Sequence, residues 1–285
     1  MKVLLMPNLT REHSYSVTLQ TIEKLKELNV EYFIAPSCAD ERLMNLVKFE
    51  DDGDSINYCD IVIAIGGDGS IIHAAKYAAK KDKPVLGINA GNLAFMAGIE
   101  NNELHLLKNL IDNNYYVDDR MMLSAEVYND ENSIVYSNVC LNDVVVARGE
   151  QIEMINLSVE CDRKKINSYS SDGIIISTST GSTAYSLSAG GPVMDPTIES
   201  ILLTPICTHS LFSRSLIFNP KSVISIVNED KKNNCAISYD GEKAIPIPEN
   251  GKIIIKKSTI SAKFIRIKSD NFIEVLNSKL ITRRM

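Results

Sequence analysis

One segment limits the fold more than any other. Asp60 to Ile65 carries a β-branched apolar run that leads directly into Gly66-Gly67-Asp68-Gly69-Ser70-Ile71-Ile72. A strand this apolar has to be covered on both faces, the situation of a central strand in a parallel sheet. The neighbouring pattern agrees. Lys2 to Met6, Val30 to Ala35 and Pro84 to Asn89 read as strands, and Ser16 to Leu28 and Ile71 to Lys80 as helices. Strands alternating with helices at these lengths predict an α/β unit with a parallel sheet. The acidic stretch Glu50 to Asp54 reads as a surface loop.

After about residue 120 the texture changes. Met122–Tyr128, Ile134–Asn138, Val144–Ala147, Ile152–Cys161, Ile174–Thr178, Ser222–Asn228, Ala236–Tyr239, Gly251–Lys257 and Ala262–Ile267 are short strand candidates separated by Asn-, Asp- and Gly-rich turns. That spacing predicts an all-β unit, a sandwich or a pair of packed sheets. The expected organisation is an α/β domain over 1–118, a β domain over 119–270, and a tail, 271–285, packing back on the first domain.

Composition narrows the function classes. With 45% apolar and 23% charged residues the 285-residue chain is globular rather than disordered. Its longest aliphatic run, Ile61 to Ile65, falls far short of the ~20 residues of a membrane helix. The apolar stretch before Pro7 is too short for a signal peptide. Six scattered cysteines, with no Cys-x-x-Cys pair, fit reduced thiols. A cytosolic protein is expected, with no membrane partner. Net charge is −6, yet Gly251 to Met285 holds nine Lys/Arg against two Asp/Glu. No aromatic interleaving accompanies that basic segment, so nucleic acid is not expected as a partner, and solvated strand faces account for it better.

The turn at residues 66–69 lets the backbone approach a polyphosphate, and the helix that follows offers free N–H donors. It lacks the Gly-Lys-Ser/Thr of a Walker A loop, and Ile72 stands where a dinucleotide fingerprint needs glycine. What remains is an acid among glycines. Asp68 there can activate a hydroxyl or help hold Mg²⁺; the plainer alternative is a helix cap.

A second dense stretch runs from Ser171-Asp172-Gly173 through Ser177-Thr178-Ser179-Thr180-Gly181-Ser182-Thr183-Ala184-Tyr185-Ser186-Leu187-Ser188 to Gly190-Gly191-Pro192. Its hydroxyls can bond ribose, amide and phosphate oxygens, and Tyr185 offers a ring face; a structural Ser/Thr-rich turn is the even alternative. Asn142-Asp143 and Asp240 sit beside apolar strands. Asn89 to Phe95 is a turn at a strand end, where open α/β sheets bind ligands.

Together these stretches resemble the NAD kinase family, in its order: Gly66-Gly67-Asp68-Gly69, Asn89-x-Gly91-x-Leu93-x-Phe95, Asn142-Asp143, the block from Asp172 to Pro192, and His209-Ser210-Leu211. The glycine turn alone is shared with diacylglycerol-type lipid kinases and 6-phosphofructokinases; the block around Thr183 is more specific. The resemblance implies a Rossmann-like α/β domain, a β-sandwich-like domain, and a cytosolic homodimer or homotetramer. It further implies a divalent metal, Mg²⁺ first, with NAD and ATP as substrates, and transfer of the γ-phosphate to the 2′-hydroxyl of the adenosine ribose. By position, Asp68 would be the general base and Gly69 would lie against the nucleotide, with Phe95 near the adenine. Asn142 and Asp143 would hold ribose hydroxyls, and Thr183, Ala184, Tyr185 and Ser188 would line the dinucleotide pocket. Asp172 would meet the nicotinamide end, from a neighbouring subunit, and Cys207 would stand against the nucleotide. Ser170, Glu153 and Phe212-Ser213-Arg214-Ser215 depart from the family pattern. Two other readings compete: a lipid or sugar kinase using the same turn, and a non-catalytic NAD sensor.

Overall fold

A computed structural model describes residues 1–10, 12–91, 94–149, 153–209, 213–230, 235–268 and 272–281. The chain divides into two compact units: Met1–Asp119 with Ile260–Met285, and Arg120–Thr259. In order, the elements are β1 (Lys2–Pro7), α1 (Glu12–Glu27), β2 (Glu31–Ile34), α2 (Asp52–Tyr58), β3 (Ile61–Gly66), α3 (Asp68–Ala79), β4 (Val85–Asn89), β5 (Ile99–Glu100), α4 (Lys108–Ile111), β6 (Tyr116–Tyr128), β7 (Ile134–Cys140) and β8 (Asp143–Arg148). There follow β9 (Ile155–Cys161), β10 (Lys164–Ser171), β11 (Gly173–Thr178), α5 (Tyr185–Ser188), β12 (Ile201–Ile206), β13 (Leu216–Phe218), β14 (Ile224–Asn228), β15 (Cys235–Tyr239), β16 (Ile245–Pro246), β17 (Lys252–Arg266) and α6 (Phe272–Ile281).

The first unit holds a parallel sheet in the order β2, β1, β3, β4, with β5 and the end of β17 also parallel to β4. All six residues of β3 are buried, as its apolar run predicts; each buried Ile or Val contributes about 1.5–3 kcal/mol. The core gathers Leu5, Val17, Leu25, Ile63, Ile88 and Ile265. Glu50 to Asp54 is not simply a loop. Asp51 caps α2, accepting from the Asp54 N–H at 2.8 Å. The acids there complement the helix dipole, so the charge run marks a helix start.

In the second unit β13, β12, β11, β8, β15 and β16 form an antiparallel sheet. β10, β9, β14 and the first half of β17 form a second antiparallel ladder, and β6 pairs with β7 and β17. Alternate residues of both sheets, among them Val144, Ile176 and Leu203 from one and Val159, Ile226 and Ile253 from the other, share one core. Among the described residues no helix is long and apolar enough to cross a membrane.

Candidate active site

The C-terminal ends of β1 to β4 open on a cleft of about 810 Å³, lined by Asn8, Thr10, Ser37, Asp40, Asp68 and His73 among others. It lies where strand order reverses: from β1 the chain goes to β2 on one side, then to β3 on the other. Open α/β sheets take ligands at such a place. Gly66 allows the close turn, since a Cβ there would sit 2.7 Å from Ser70 Oγ. Asn8 Nδ2 donates to that hydroxyl at 3.0 Å, tying the exit of β1 to the first turn of α3.

Asp68 is the first residue of α3, and the cap position belongs to Gly67. The Asp68 side chain turns elsewhere. Oδ2 accepts the main-chain N–H of Phe95 at 3.0 Å, and Oδ1 that of Met96 at 2.8 Å. Each carboxylate oxygen retains capacity for another donor. Gly69 is exposed, and a Cβ there would meet nothing within 4 Å. Phe95 is half-buried. Asn89, paired with Gly66 at the ends of β3 and β4, accepts from Gly91 N–H at 2.9 Å and donates to Glu100 Oε2 at 2.7 Å. Asn92 and Leu93 of the same motif lie outside the described residues.

In the second unit Asn142 and Asp143 stand at the start of β8, and Ser177 pairs with Asp143 across the ladder to β11. The Asp240 carboxylate accepts three main-chain N–H groups, from Leu141 (2.9 Å), Asn142 (2.7 Å) and Asp143 (3.2 Å). It thereby shapes the turn that presents Asn142. Gly181 presses on that turn from the other side, where a Cβ would fall 2.1 Å from Asn142 O. Asp143 is only 4% exposed. Burial, with the charge of Asp240 added, pushes its carboxyl up to about 7.

The hydroxyl block divides by direction. Thr178, Ser179, Ser182 and Ser186 are buried and bond to Leu141 O, Ser200, Ser179 O and Thr204. Thr183 and Ala184 are half-buried, while Tyr185 and Ser188 are exposed. Asp172 and Cys207 are not with them. They flank the opposite end of β11, since Gly173 pairs with Ala147 and Ile206. Roughly 17 Å of strand separates the two ends. Asp172 accepts from Arg148 Nε at 3.0 Å, and Cys207 is exposed with φ +45°. His209 donates its main-chain N–H to Ser170 O at 2.9 Å; Ser210 and Leu211 lie outside the described residues. Asn8, Asp40, His73 and Arg148 escaped the sequence reading: Asn8 and Arg148 meet Ser70 and Asp172, far away in the chain, and no motif marks Asp40 or His73 as lining a cleft.

A strand-end cleft lined by a carboxylate, in a chain whose other unit carries a hydroxyl-rich turn, suits a nucleotide-dependent phosphotransferase, and the relatives establish that class. The relatives narrow it. The family described as the ATP-NAD kinase N-terminal domain matches residues 6–115, and the ATP-NAD kinase C-terminal domain matches residues 141–267. An NAD kinase of Thermoanaerobacter sp. is 34% identical over 287 residues, covering 99% of each chain. One of Ruminiclostridium cellulolyticum is 39% identical over 230 residues, 80% of each. Among solved structures, yeast NADH kinase complexed with NADH shares the fold at TM-score 0.88 and 23% identity, over 100% of this chain and 89% of that one. An NAD kinase from Archaeoglobus fulgidus in complex with ATP does so at 0.76 and 23%, over 100% of both. The chain belongs to the NAD kinase family and is an ATP-dependent kinase that forms NADP from NAD.

Proposed function

We propose that Asp68 accepts the proton of the 2′-hydroxyl of the adenosine ribose of NAD as that oxygen takes the γ-phosphate of ATP. One observation carries this reading: the Asp68 carboxylate lines the strand-end cleft with both oxygens held by main-chain donors. A base so fixed needs no reorientation at the moment of transfer. Gly69 would lie against the nucleotide and Phe95 near the adenine. Asn142, Asp143, Thr183, Ala184, Tyr185 and Ser188 would bind the dinucleotide. Asp172 and Cys207, at the other end of their sheet, would meet its far end or a neighbouring subunit's ligand.

An ATP-dependent kinase of this fold works with a divalent cation, and Mg²⁺ is the one we propose. Among the described residues no three His, Cys, Asp or Glu side chains gather as a metal cage. The acids lining the cleft are Asp40 and Asp68, which fits a cation held by ATP phosphates with one or two carboxylates. Bound there, it would neutralise charge on the phosphate oxygens.

We also place the enzyme in the cytoplasm as a homodimer or homotetramer. The scattered cysteines and the exposed Tyr185, Val193, Ile198 and Ile217 of the second unit support this. Asp68→Asn should lower kcat by about 10²–10⁴-fold while leaving NAD affinity nearly unchanged. NADP formation and calorimetric NAD binding check it, and full activity would remove Asp68 from the role.

A further inference from the structure

Arg266 belongs to no motif, and in the sequence it is one of nine basic residues in a segment that reads as solvated. In the structure it is largely buried at the end of β17, with a side chain 13% exposed. Nε pairs with Asp118 Oδ2 at 3.2 Å, and that partner is 11% exposed. Nη1 donates to two consecutive carbonyls, Met96 O and Ala97 O, each at 3.2 Å. Met96 is also the residue whose N–H holds Asp68 Oδ1, and the N–H before it, on Phe95, holds Oδ2. A continuous path therefore runs from Asp118 through the guanidinium and the 95–97 turn to the Asp68 carboxylate.

Resting on Asp68 as the base, we propose that Arg266 is a positioning residue for phosphoryl transfer, fixing through the Phe95–Ala97 turn the direction of the Asp68 carboxylate. A planar fork with five donors can hold an acid and two carbonyls at once; an ammonium cannot match that geometry. The turn is also confined by the Gly98 N–H, which donates to Gly87 O at 2.9 Å, and by packing. A Cβ on Gly98 would stand 2.9 Å from Ile265 O, and one on Gly87 would stand 3.1 Å from Ala97 Cα. Those close approaches fix where the turn sits. The guanidinium fixes how its peptide planes are rotated, and so where the Phe95 and Met96 N–H groups aim. A shift of the reacting groups by about 1 Å can cost 10²-fold in rate.

The test is a double-mutant cycle on the full chain, assayed for NADP well below each variant's melting temperature, with single-turnover detection for slow variants. Arg266→Gln should lower kcat by about 30- to 100-fold, with KM for ATP and for NAD within about threefold of the parent. Arg266→Lys, which keeps the charge beside Asp118, should retain the fold and recover part of that loss. In the Asp68→Asn background, Arg266→Gln should lower kcat by less than about twofold, because the group it positions is already gone. An undiminished effect in that background would overturn the proposal, as would an unaltered kcat in both single variants. If Arg266→Gln does not fold, the same cycle run with Arg266→Lys decides. Full activity of Asp68→Asn alone would instead remove the base assignment, so the two failures are told apart.

Discussion

At the residue scale, Asp143 carries the sharpest dependence on conditions. Its carboxyl, at about 7 when folded, ionises near 4 in an unfolded chain. Between those values the folded state holds a proton that the unfolded state has lost. Stability therefore falls as pH rises from about 4 to 7 and levels off above. Asp143→Asn should flatten that slope in urea-unfolding titrations, with a relative gain at pH 8 of up to about 4 kcal/mol. The direction is diagnostic, because an ion-paired acid would behave in the opposite sense. Below pH 7 a neutral Asp143 can also donate a hydrogen bond, whereas the ionised group only accepts.

At the scale of single elements, two turns decide how candidate residues are presented. Gly181→Ala would place a methyl against the Asn142 carbonyl, where a Cβ has only 2.1 Å. It should cost about 1–3 kcal/mol in thermal or chemical unfolding and raise KM for NAD more than it lowers kcat. Asp51→Ala removes the cap of α2, a loss of about 1 kcal/mol, with kcat unaltered. The alternation of β15 and the apolar runs of β3, β8 and β11 were legible because each follows a regular burial pattern or a continuous apolar one. Other elements were not. β17 reads as two strands because Lys256-Lys257-Ser258-Thr259 interrupts the apolar series, yet the ladder continues through it. β10 is too polar to read as a strand, and β12 contains Pro205, a residue that argues against a central strand. At the site, the glycine turn and the hydroxyl block were visible as composition. Which hydroxyls turn inward, and that Asp240 serves the Asn142 turn, depended on partners far away in the chain.

For the whole molecule, five of the six basic residues whose side chains are described in the C-terminal segment prove to be matched internally. Lys256 pairs with Glu126, Lys257 with Glu199, Lys263 with Asp82, Arg266 with Asp118 and Lys268 with Glu103. Those five charges thus answer acids distributed over the rest of the chain. The end of β17 also completes the first unit, placing Phe264 beside Val85 and Ile265 in its core. A chain ending at Thr259 should therefore lose cooperative unfolding of the first unit while retaining β structure, as circular dichroism and limited proteolysis would report. Because the strand segment that finishes the first unit is encoded after the whole of the second unit, the cleft that holds Asp68 gains its last supporting strand only once Ile260 to Arg266 has been synthesised. The β unit, wholly encoded before that point, is free to fold first, so a nascent chain stalled before Ile260 would carry a finished β unit and an unfinished α/β unit.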